Sequence, residues 1–122
     1  VSDLNVVDSS GWLEYFMGSS RAELFAPAIE DTPNLIVPTI SIYEIFKKLL
    51  RDTSEDDALK AISVMHGGRI VDLDQSLALE SARHPLPLAD SIIYATALRF
   101  DATLWTQDRD FSILMNVRYF AN

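Results

Sequence analysis

Short aliphatic runs separated by helix-patterned stretches constrain this chain more than any other feature. Asn5-Val6-Val7, Leu35-Ile36-Val37, residues 69–73 and Leu104-Trp105 are the runs, with residues 117–120 as a further candidate. Helical patterning falls between them, at residues 12–16, at 20–29 from a start at Ser19 or Ser20, and from Ser41 onward. It returns from Thr53 or Ser54 to His66, at 76–83, and at 88–100 after Pro85-Leu86-Pro87. Strands alternating with helices build a parallel sheet covered on both faces, because a parallel neighbour is reached only through a crossover. The expected fold is α/β: a three-layer α/β/α sandwich around a mostly parallel sheet of four to five strands, in one domain over residues 1–122.

Composition removes several function classes. With no cysteine there is no disulfide framework, thiolate metal site or cysteine nucleophile, which suits a reducing, cytoplasmic setting. No apolar run approaches the roughly 20 residues needed to cross a bilayer. The net charge of −8 is the opposite of what a nonspecific nucleic-acid binder relies on. A polyanionic substrate therefore requires a local basic patch or a metal ion.

Four acids fall where a parallel sheet collects functional groups, beyond the carboxyl ends of its strands. Asp8 follows the first strand, Glu44 lies a helical turn beyond the second, Asp90 opens the long helix, and Asp108 follows the fourth strand. Each also has a structural explanation. Asp8 suits a helix N-cap, Ser41 and Glu44 have capping-box spacing, Asp90 complements a helix dipole, and Asp108 suits an Asx-turn. Joint placement favours function, since capping does not require four acids to share one edge of a sheet. Carboxylates so gathered raise one another's pKa unless a cation joins them, and Mg²⁺ or Mn²⁺ prefers all-oxygen ligands. The chemistry expected of such a site is metal-assisted phosphodiester hydrolysis.

VVDSSGWLEYF, SIYEIFKKL, PLADSIIYATA and LWTQDRDF, in this order, resemble the PIN domain, and specifically the VapC-type toxins of toxin–antitoxin pairs. The resemblance implies a Mg²⁺- or Mn²⁺-dependent endoribonuclease, homodimeric, cleaving RNA and held inactive by a VapB-like antitoxin, with DNA reached only through that antitoxin. It makes Asp8, Glu44, Asp90 and Asp108 the catalytic acids. Asp110 is the alternative to Asp108. Asp8, Asp90 and Asp108 would hold the metal, directly or through water, and Glu44 would orient a water or take its proton. Ser9, Ser10 and Thr106 would fix carboxylate orientation.

Lys47, Lys48 and Arg51 share a helical face with Glu44 and are candidate RNA contacts, against the alternative of a solvated face with a Glu44–Lys48 pair. Arg109 either contacts RNA or neutralises the acids beside it. Trp12, Tyr15, Phe16 and Phe25 read as core, or as a groove for an antitoxin helix. A receiver domain would need adjacent acids after the first strand and a lysine after the last, yet the lysines are Lys47, Lys48 and Lys60. An aspartyl phosphatase would need an acid where Ser10 stands. The remaining rivals are a catalytically silent PIN-like module that binds RNA or protein, and a PIN nuclease of RNA processing.

Overall fold

The computed structural model describes residues 2–122. Its strands are β1 (Asn5–Val7), β2 (Leu35–Pro38), β3 (Arg69–Val71), β4 (Thr103–Thr106) and β5 (Val117–Tyr119). They form one sheet in the order β3-β2-β1-β4-β5, with every neighbouring pair parallel. The helices are α1 (Ser9–Met17), α2 (Ala22–Ile29), α3 (Thr39–Asp52), α4 (Glu55–Met65), α5 (Gln75–Ser81) and α6 (Leu88–Arg99), with single 3₁₀ turns at Thr32–Asn34 and Arg109–Phe111. The sheet is thus wholly parallel and five-stranded.

Successive strand residues point to opposite faces, and that alternation divides the core in two. Val7, Leu35, Val37 and Trp105 pack with Trp12, Phe25, Ile45, Leu49 and Met65 beneath α1 to α4. Val6, Ile36 and Leu104 pack on the other face with Leu77, Ile93, Ala97 and Phe111, beneath α5 and α6. Slipping β1 by one residue would exchange Val6 and Val7 between these layers, so its register is strongly specified. Residues 91–97 of α6 are all buried, as expected of a helix covered on several sides.

Local chemistry sets the helix ends. Ser54 caps α4 through a 3.1 Å bond from Asp57 N–H, and Glu55, Asp56 and Asp57 occupy the first turn, where they complement the dipole. The α1 helix stops at Gly18, whose φ of 62° sends its N–H back to the Glu14 and Tyr15 carbonyls. One expectation is overturned. The α3 helix starts at Thr39, directly after Pro38, so Ser41 lies inside it, fully buried with its hydroxyl unpaired, and makes no capping box with Glu44.

Because all strands run the same way, their carboxyl ends share one edge. That edge receives Asp8 from β1, the start of α3 from β2 and the loop after β4. The α6 helix feeds β4 at the opposite edge, which returns its own first turn, with Asp90, to the acidic side.

Candidate metal centre

Asp8 is 4% exposed at the end of β1, and its carboxylate is held from several directions. Its Oδ1 accepts from Gly11 N–H and Ser10 Oγ, each at 3.0 Å, and its Oδ2 accepts from Thr106 Oγ1. The bond from Gly11 makes Asp8 the N-cap of α1. Burial pushes its pKa up, the bonds from Thr106, Gly11 and Ser10 pull it down, and the charge of Asp108 adds to the rise; burial prevails.

The β4 end is ordered by the same hydroxyl. Thr106 Oγ1 accepts Asp108 N–H at 2.9 Å, and Asp108 Oδ1 accepts Asp110 N–H at 2.9 Å, an Asx-turn that starts the 3₁₀ turn. This turn presents both Asp108 and Asp110 toward α6. One carboxylate oxygen from each of Asp90, Asp108 and Asp110 lies within 4.8 Å of the other two. Asp8 and Glu44 stand outside that trio, but their charge reaches it. Asp90, half-buried, is pushed up to about 6, first by burial and then by Asp108, Glu44, Asp8 and Asp110. The charges of Asp8, Glu44, Asp108 and Asp110 therefore all bear on Asp90.

Ser9 and Ser10 divide their work. Ser10 bonds Asp8, whereas Ser9 Oγ donates to Glu44 Oε1 across 35 positions of sequence. Glu44 is consequently oriented by α1 rather than by a cap on its own helix.

The basic residues depart from expectation. Lys48 pairs with Asp52 at 3.0 Å, not with Glu44, and Arg51 joins the same carboxylate at 2.9 Å. Lys47, Lys48 and Arg51 do line one cleft with Glu44 and Tyr43. Among the described residues Arg109 forms no ion pair, with either Asp108 or Asp110.

A supporting network escaped sequence reasoning. Gln107, between Thr106 and Asp108, accepts from Arg21 Nε at 2.6 Å and donates to Glu14 at 2.9 Å. Arg21 also donates to the Phe120 carbonyl at 3.1 Å. It thereby ties the β4 loop to α1, to the start of α2 and to the segment after β5. The only local signal is a polar Gln107 set between two residues of the acidic site.

The family model of the PIN domain matches residues 6–114, nearly the whole chain. The chain belongs to the PIN domain family. Solved structures resemble this PIN domain along its length. A toxin–antitoxin complex from Klebsiella pneumoniae is 24% identical with a TM-score of 0.75, covering 93% of this chain and 95% of that one. The Mycobacterium tuberculosis VapC20, a Sarcin-Ricin loop cleaving toxin, is 16% identical with a TM-score of 0.73, covering 88% and 92%. A DNA-bound VapBC from Salmonella typhimurium is 12% identical with a TM-score of 0.73, covering 97% of each chain. A comparison with curated protein sequences returns no significant match. At such identities the likeness establishes the shared PIN fold. Among the described residues, no helix is long and apolar enough to cross a membrane.

Proposed function

We propose that this PIN domain is a divalent-metal-dependent endoribonuclease, acting as the toxin of a toxin–antitoxin pair. The observation that carries the reading is the convergence of Asp90, Asp108 and Asp110 within 4.8 Å, with Asp8 and Glu44 close enough to raise Asp90 further.

The donor set fits a hard cation. Every donor is a carboxylate oxygen, and no thiol is present in the chain. Burial and the four acids around it hold the Asp90 pKa up, and a cation would relieve the repulsive part of that rise. Asp90, Asp108 and Asp110 would hold Mg²⁺ or Mn²⁺, with Asp8 reaching it directly or through water. Such an ion supplies Lewis acidity toward a phosphoryl oxygen and toward water. The chain supplies the rest. Thr106, Ser10 and Gly11 hold the Asp8 carboxylate in one orientation, and Ser9 occupies Oε1 of Glu44, leaving Oε2 to take a proton from the attacking water.

The toxin part rests on the structural likeness to proteins whose names are VapBC and VapC, together with a groove between α1, α3 and α4. That groove, about 380 Å³, is bordered by Phe16, Met17, Leu49, Ala61 and Val64, with Asp57 and Lys60 at its rim. Trp12 and Phe25 are core, whereas Phe16 and the 60%-exposed Met17 offer apolar surface to an antitoxin helix.

Purified protein incubated with a single-stranded RNA panel in Mg²⁺ or Mn²⁺ should cleave it, and EDTA or Asp90→Asn should stop cleavage. Cleavage indifferent to both would sink the metal mechanism. Expression should arrest growth unless Asp90→Asn is present, and lack of arrest by the wild type would count against the toxin role.

A further inference from the structure

The cleft on α3 that contains Glu44 opens onto a second chemistry. It measures about 240 Å³, smaller than the roughly 300–1,000 Å³ of a drug-sized pocket, and is lined by Tyr43, Glu44, Lys47, Lys48 and Arg51. Its cations are not equivalent. Lys48 and Arg51 share the single carboxylate of Asp52, at 3.0 and 2.9 Å, so one of their two charges is already matched. Among the described residues Lys47 pairs with no carboxylate. Its Nζ instead donates to Tyr43 Oη at 3.2 Å and lies 5.4 Å from the ring centroid, leaving two of its three N–H donors available.

Tyr43 is 57% exposed, although its helix has a well-formed apolar stripe on which Ile45 and Leu49 are buried. The ring thus stands in water, one residue from Glu44 and one helical turn from Lys47. An aromatic face beside an unmatched ammonium is the pairing that takes single-stranded nucleic acid: the ring stacks a base and the cation takes the adjoining phosphate. In a chain of net charge −8, an unmatched cation at the edge of the acidic site has particular leverage on a polyanion.

We propose that Tyr43 and Lys47 form a subsite for one unpaired nucleotide flanking the scissile phosphodiester, with Tyr43 stacking its base and Lys47 holding its phosphate. The subsite rests on the nuclease reading for its purpose, but its binding can be measured separately. It favours single-stranded over duplex RNA, because only an unstacked base presents a face to Tyr43.

The test is fluorescence anisotropy with a short single-stranded RNA oligonucleotide in Mg²⁺, using Asp90→Asn protein so that turnover does not consume the probe. Tyr43→Leu should weaken binding about five-fold or more, while Tyr43→Phe, which keeps the ring, should not. Lys47→Gln should weaken binding and make the slope of log affinity against log salt shallower by about 0.7, one single-strand phosphate contact, and Lys47→Arg should restore it. Lys60→Gln on α4 serves as a charge control and should leave the slope unchanged. Unaltered affinity and slope in Tyr43→Leu and Lys47→Gln would overturn the subsite, as would failure of the parent to bind the oligonucleotide. If wild-type protein cleaves RNA but these variants bind normally, the subsite falls and the nuclease reading stands. If wild-type protein does not cleave, yet binding depends on Tyr43 and Lys47, the nuclease reading falls and the pair stands as a binding site for an unpaired nucleotide.

Discussion

Thr106 Oγ1 donates to Asp8 Oδ2 while accepting the backbone N–H of Asp108 at 2.9 Å, so one buried hydroxyl fixes two acids from adjacent strands. Thr106→Val keeps the shape and removes both bonds. It should cost about 1–3 kcal/mol in chemical denaturation, the usual penalty for unpaired buried groups. It should also reduce metal affinity or cleavage about 10–100-fold. Thr106→Ser should recover most of both.

Asp8 is at once a helix cap and a member of the acidic site, and two substitutions separate these roles. Asp8→Asn keeps an oxygen for Gly11 N–H and removes a buried charge, so thermal stability should stay within about 1 kcal/mol of the wild type while cleavage disappears. Asp8→Ala should lose cleavage and about 1–2 kcal/mol of stability together. Equal stability of the two variants would show that the cap contributes little.

The acid cluster should give the metal-free protein a particular pH response. Asp90 is raised from 3.8 to about 6, so ionising it penalises the folded state. The folded state binds the proton more tightly than the unfolded one, so stability should increase as pH falls from about 7 toward 4. Asp8, also raised, acts in the same direction. Full linkage for Asp90 would approach about 3 kcal/mol, and its half-exposed position reduces that to about 1 kcal/mol. Melting curves in EDTA should show the trend, and Asp90→Asn should flatten it. Mg²⁺ should stabilise the wild type more at pH 7 than at pH 5, where protons compete for the ligands.

Gly11 allows α1 to start hard against the core. A Cβ there would come within 2.6–2.7 Å of the Phe25 ring and 2.7 Å of Val7 Cγ1. Gly11→Ala should destabilise by about 1–3 kcal/mol through overpacking. Adding Phe25→Leu should cost less than the sum of the two single changes, because the smaller side chain makes room. Strict additivity would show that the clash relaxes elsewhere.

Much of the fold was legible because a buried parallel strand has little choice of residues. Val6-Val7 and Leu35-Ile36-Val37 are apolar on both faces, and helix lengths between them leave room only for crossovers. The acidic edge was legible for the same reason, since topology places it. Local side-chain pairing was less so. Lys48 has an acid four residues away on either side, Glu44 and Asp52, and spacing alone does not choose between them. The choice of Asp52 accompanies a tertiary bond, from Ser9, that already engages Glu44. Similarly, Ser41 looked like a cap because Ser suits one, whereas Pro38 brings the chain straight from strand to helix. Arg21 and Gln107, 86 positions apart, leave no local signature beyond the polar Gln107 between two residues of the acidic site.

The overlap at Asp8 sets how much variation each acid can bear. Residues tolerated at Asp8 by the fold must start a helix, so Asn, Ser and Thr would dominate among soluble substitutes, whatever becomes of the chemistry. Asp90 caps nothing and sits among like charges, so neutral replacements there relieve repulsion. A library of inactive but well-folded variants should therefore be narrow at the first position and broad at the second.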